Sequence, residues 1–191
     1  LILIAYNIIR FLLGPDAADA EVSLEEAGKK IKEGKKSWAK GKRAAFKMYR
    51  YDKKLLSVLK DVKKRVTNAS TGSGKVNAAL LARKLKMGRE EVEKEKEIMI
   101  FIDDVVKDVE NVSGESVTAS GAGTHPKMKK LKVIHATLIK DVGDLTSEYL
   151  DLEKESAKGN WAGSITHVDK CIDLVNDISK NILGMEALQS S

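Results

Sequence analysis

From Ser23 to Val66 the chain places Ala27, Ile31, Gly34, Trp38, Gly41, Ala45, Met48, Asp52, Leu55, Leu59, Val62 and Val66 at alternating steps of four and three. A seam sustained over that many heptads constrains the fold more than any other feature, because it demands a helix with one face covered throughout. Ser23 and Glu26 form a capping box that marks the start. At a rise of about 1.5 Å per residue the helix is roughly 65 Å long, and such a helix is not stable alone in water. The rest of the chain must supply its partners.

Three further seams meet that demand. Leu81, Leu85, Gly88, Val92, Glu95, Met99, Ile102, Val106 and Val109 keep one register; Leu131, Ile134, Leu138, Val142, Leu145, Tyr149 and Leu152 keep another. The last runs through Trp161, Ile165, Val168, Ile172, Val175, Ile178, Ile182 and Met185. Between them lie a Gly/Ser stretch at Asn68 to Lys75, a Ser/Gly/Thr-rich stretch at Asn111 to His125, and the short break Gly159-Asn160. The only two prolines, Pro15 and Pro126, fall at expected helix boundaries, and no alternating Val/Ile/Thr pattern calls for strands. The pattern predicts an all-α protein: an antiparallel up-down four-helix bundle with helices near 23–67, 76–112, 127–157 and 161–184, plus a short apolar N-terminal helix. Residues 1–20 are read as an apolar anchor or docking segment and residues 21–191 as the bundle.

Charge and hydropathy narrow the partners without naming one. The net charge of +6 and pI near 9.2 suit an acidic protein surface, an anionic membrane or nucleic acid. Leu1 to Leu13 is nearly all apolar, and a bilayer span needs about twenty such residues. The segment therefore reads as the tail of a span, a signal-like region, a surface anchor or a packed helix. Arg10, with Asn7 one turn before it, favours a shallow interfacial pose, so Leu3, Ile4, Ile8, Phe11 and Leu12 are expected to contact a membrane or the apolar flank of a membrane-embedded partner. Lys127, Lys129 and Lys130 crowd the start of the third helix, where cations oppose the helix dipole and invite an acidic docking partner.

Catalytic chemistry is not signalled. Asp103 and Asp104 are adjacent, so on a helix they point in different directions, and the three histidines, His125, His135 and His167, sit far apart with no Glu-x-x-His pair. Asn68 to Lys75 looks superficially like a phosphate-binding loop, yet Ala69 and Val76 stand where a Walker A motif needs glycine and Ser or Thr. Cys171 is the single cysteine, and falls on the apolar side of its helix. The expectation is a non-enzyme without cofactor or metal. Two other classes compete: a membrane-tethered sensor or ligand-binding bundle, with Gly34, Gly41, Asp52, Gly88 and Glu95 lining an internal pocket, and a nucleic-acid-binding helical protein using Lys53, Lys54, Lys60, Lys63, Lys64 and Arg65.

Lys36-Ser37-Trp38 followed by Tyr49-Arg50-Tyr51-Asp52-Lys53-Lys54-Leu55-Leu56 resembles the Trp and Leu-Arg-Tyr-Asp helix of the PsbQ-like extrinsic proteins of photosystem II. The spacing from Trp38 is shorter here. Asp144-Leu145 through Trp161-Ala162, then Val168 to Leu183, is similar to that family's last two helices, and the resemblance covers less than half of the chain. It implies a non-catalytic subunit on the thylakoid lumen side, docked on the photosystem II core and shielding the oxygen-evolving centre, with Trp38, Arg50, Tyr51 and Asp52 as its motif residues.

Overall fold

The computed structural model describes residues 24–72, 76–113 and 126–190. Four helices account for nearly all of them: α1 (Leu24–Ser70), α2 (Ala78–Ser113), α3 (Pro126–Ala157) and α4 (Trp161–Ser190), with no strand among the described residues. Ser23, the expected cap, and the N-terminal run Leu1 to Leu13 lie outside the described residues. α1 runs three residues beyond its expected end and α4 six. Polar Asn68 and Ser70 do not stop α1; Gly72 does, at φ 67°, in the left-handed region that glycine enters without a Cβ penalty. Gly159, at φ 72°, turns the chain between α3 and α4, and Asn160 Oδ1 then accepts the Gly163 N–H at 3.2 Å to cap α4. Asn77 Oδ1 caps α2 in the same way, accepting the Leu80 N–H at 3.0 Å.

Cross-helix pairs give the packing order. Between α1 and α2, Ser37 meets Asp108 and Asp61 meets Lys84; between α3 and α4, Ser156 meets Ser164 and Asp141 meets Asn181. Between α1 and α4, Asp52 meets Ser179 and Lys63 meets Asp169. In each pair the numbers rise on one helix as they fall on the other, the order of antiparallel neighbours. α1 packs on α2 and α4, α3 packs on α4 and more sparsely on α2, and α1 and α3 occupy opposite corners.

The interior is aliphatic, built on Met48, Leu55, Leu59 and Val62 of α1, Val92 and Ile102 of α2, Leu138, Leu145 and Leu152 of α3, and Val168, Val175 and Ile178 of α4. One seam differs in phase from its sequence pattern. In the first turns of α4, Ser164 and Cys171 are fully buried beside Val168, while the expected Ile165 and Ile172 are half-buried. The three-residue link to α3 brings the helices close at that end, where Ser156 and Ser164 hydroxyls lie 3.1 Å apart and a larger side chain would not fit. Cys171 is buried, and burial pushes its thiol up to about 12, which removes its nucleophilic thiolate at neutral pH.

Glycine acts here by admitting a neighbour. The buried Tyr149 hydroxyl donates to the Leu85 carbonyl at 2.8 Å and lies directly over Gly88, so that a Cβ at Gly88 would overlap Tyr149 Oη. At Gly41 the corresponding neighbour is Val105 Cγ1, 3.0 Å from where a Cβ would stand. Gly88→Ala is therefore expected to destabilise the bundle by about 2–3 kcal/mol despite alanine's better helix propensity, because tyrosine must leave its rotamer or the helices must part. Chemical denaturation of the pair Gly88→Ala and Gly88→Ala/Tyr149→Phe checks this, the second regaining part of the loss.

Candidate functional site: a buried acid pair and three surface features

One polar layer interrupts the aliphatic core. Asp52 of α1 and Glu95 of α2 are both fully buried, and Ser179 of α4 donates its hydroxyl to Asp52 Oδ2 at 2.6 Å. Asp52 Oδ1 and both oxygens of Glu95 meet no donor from any other side chain or from the backbone. The two carboxyl groups face one another, and two ionised acceptors cannot bond; a proton held on the pair satisfies both. Burial pushes the Asp52 carboxyl up to about 6, against the bond from Ser179, which lowers it. Glu95 is raised well above its ordinary value by burial first, then by the Asp52 charge and that of Glu91. Both carboxyls thus hold a proton more readily than free ones, Glu95 more than Asp52.

The layer is closed off from solvent. The carboxyls face each other, the space at Gly41 and Gly88 is filled by Val105 and Tyr149, and no three His, Cys, Asp or Glu groups converge to hold a metal among the described residues. Asp103 pairs with Lys107 at 2.5 Å and lies 3.4 Å from His135 Nε2, while Asp104 is exposed. His167 pairs with Glu148 at 2.7 Å on the opposite side of α3, so the two described histidines do not meet.

The first surface feature is an apolar groove of about 460 Å³ along the sparse α2–α3 seam, lined by Met99, Ile100, Ile139, Val142, Gly143 and Thr146, with Lys96 and Asp103 at its rim. Ile100 is 67% exposed and Ile139 47%. A Cβ built on Gly143 would meet nothing within 4 Å, so the seam is open where this residue withholds a side chain. The second is an acidic cleft of about 470 Å³ between α3 and α4, holding Asp144, Glu148, Asp173 and Asp177 around Lys170. Partial burial raises the Glu148 carboxyl, yet bonds from His167 and Lys170 outweigh it and hold the group below its ordinary value.

The third is the outer flank of α1. This helix has sixteen Lys and Arg against five Asp and Glu, a net of +11, whereas α2, α3 and α4 together have fifteen against nineteen, a net of −4. The expected docking lysines divide. Lys129 and Lys130 are exposed beside Val133 at a small depression between α3 and α4, and the side chain of Lys127 lies outside the described residues, as do Leu3, Ile4, Ile8, Phe11 and Leu12. Of the motif residues, Arg50 is exposed, Tyr51 half-buried and Asp52 in the core; the Trp38 side chain is outside the described residues. No helix among the described residues is long and apolar enough to cross a membrane.

No family model, curated protein or solved structure matches this chain. Sequence reasoning had both members of the acid pair as seam positions, but their pairing depends on the α1–α2 register. The groove left no signal beyond Gly143 itself.

The acid pair generates a pH dependence of stability. Both folded-state values are raised above those of free carboxyls, so the pair's contribution is fully present at pH values below those of the unfolded chain and is lost as pH rises through about 6 and beyond. Glu95→Gln keeps a donor toward Asp52 without a titrating proton. It is expected to flatten the fall of Tm between pH 5 and 9 and to stabilise the bundle by about 1–2 kcal/mol at pH 8, measured by thermal melts across that range.

Proposed function

We propose that the protein is a non-catalytic accessory subunit that docks on a membrane protein complex, taking an apolar segment of that complex into the α2–α3 groove. The observation that carries this reading is the groove. Ile100 and Ile139 stand in solvent over an uncovered Gly143, and burying side chains of that size is worth about 1.5–3 kcal/mol each. A contiguous apolar surface flanked by Lys96 and Asp103 has the composition of a docking site, with an apolar centre and a charged rim. The apolar run Leu3, Ile4, Ile8, Phe11 and Leu12 adds a contact with the membrane or with an apolar flank of the complex. The PsbQ-like resemblance at Trp38, Arg50, Tyr51 and Asp52 points to photosystem II as the assembly, with the protein on its lumenal face. A ligand-binding bundle has less support, because the interior volume at Gly41 and Gly88 is already occupied.

The test uses the whole chain, purified with its partners from mildly solubilised native membranes. An integral membrane complex is expected to co-purify with the wild-type chain and to be lost with Ile100→Asp/Ile139→Asp. Both positions are solvent-facing, so Tm is expected to change by only a few degrees. Retention of the complex by the double variant, or co-purification with no membrane protein at all, would overturn the reading.

A further inference from the structure

We infer that the outer flank of α1 is a binding surface for anionic lipid bilayers. Lys36, Lys40, Arg43, Lys47, Arg50 and Lys54 follow one another at steps of four and three, alternately two positions and one position before the core seam, and all are exposed. At about 1.5 Å per residue the row is roughly 27 Å long and nearly straight. From residue 35 to residue 60 the only acid in α1 is Asp52, which is buried, and none of the six cations is ion-paired with a described residue. Elsewhere in the bundle, lysines do find acids: Lys84 pairs with Asp61, Lys94 with Glu91, Lys170 with Glu148. The flank of α1 is thus a row of uncompensated charge on a rigid rod, and an extended anionic surface is what such a row complements.

Three features favour a bilayer over a nucleic acid. Phe46, 57% exposed, stands among these cations between Arg43 and Arg50, as an apolar wedge at headgroup depth would. The half-buried Tyr49 and Tyr51 rings that could stack on bases are covered by their own helix, with Lys53 Nζ 4.6 Å from the Tyr49 centroid and Lys54 Nζ 5.7 Å from that of Tyr51. Finally, the apolar residues Leu1 to Leu13 precede the same helix in the chain, and stable peripheral attachment generally takes two signals, one apolar and one polybasic. The acidic cleft is lined by α3 and α4 and by no residue of α1, so an anionic bilayer is drawn to the α1 flank and not to that cleft.

This surface is distinct from the α2–α3 groove, and the inference stands whether or not a protein partner occupies that groove. Its test is co-sedimentation of the full chain with vesicles of phosphatidylcholine alone or with about one third phosphatidylglycerol. Binding is expected to the anionic vesicles, falling steeply as salt is raised from about 50 to 500 mM. Lys47→Glu/Arg50→Glu is expected to weaken it at least about tenfold with an unchanged circular dichroism spectrum, because each cation near the surface contributes several-fold. Lys154→Glu/Lys158→Glu makes the same change in net charge away from α1 and is expected to leave binding within about twofold, which separates the row from the overall charge. Phe46→Ser is expected to reduce only the salt-resistant remainder. Equal binding to neutral vesicles, indifference to the α1 reversal, or retention on duplex nucleic acid but not on anionic vesicles would each overturn the inference.

Discussion

The structure depends on the covering of one helix. α1 has 47 residues, and its seam must be shielded by helices of 36, 32 and 30 residues. No single shorter helix does this, and α1 is flanked by two, α2 and α4. α3 then closes the fourth corner mainly through α4. Its thinner contact with α2 is where the apolar groove lies, so that groove arises at the seam that α1 does not organise.

Most of the architecture was legible because heptad patterning is a local and repeated signal. Every described seam position of α1 is buried, as are those of α2, since alternation of steps four and three fixes a face wherever the helix runs. The pattern failed where something other than hydropathy set the face. In α4 the sequence offers Ile165 and Ile172, but the short link after Gly159 brings α3 so near that Ser164 and Cys171 take the interior. Helix ends were missed for a related reason: Asn68 and Ser70 are weak helix formers, yet α1 continues until a residue can adopt positive φ at Gly72.

The candidate sites were less legible, and each for a physical cause. Asp52 and Glu95 lie 43 positions apart, and nothing local says that a carboxyl in one seam will face a carboxyl in another; only the register of α1 on α2 does. Ile100 and Ile139 resemble seam residues in composition but fall off the seam, and Gly143 between them leaves the groove open. By contrast the charge of α1 is open to counting in the sequence. Its meaning needed the structure, in which no cation of the row Lys36 to Lys54 is ion-paired with a described residue.

Asp52 of the acid pair and the cationic row sit on different faces of the same helix. Sliding α1 by one heptad against α2 would set Glu95 beside Ala45 or Leu59 in place of Asp52, leaving its carboxyl without the partner that shares its proton. An unpartnered buried carboxyl is costly, whereas the aliphatic seam alone tolerates such a slip, since Met48, Leu55, Leu59 and Val62 are nearly interchangeable as core residues. The polar layer thus specifies register at some expense in stability, in the way a single polar seam residue does in coiled coils. The seam itself fixes the rotation of α1, and that rotation places Lys36, Lys40, Arg43, Lys47, Arg50 and Lys54 in solvent along a single line. Burial of Asp52 also withdraws the one acid that would offset them, so the same interaction that positions the helix leaves its outer field uncompensated.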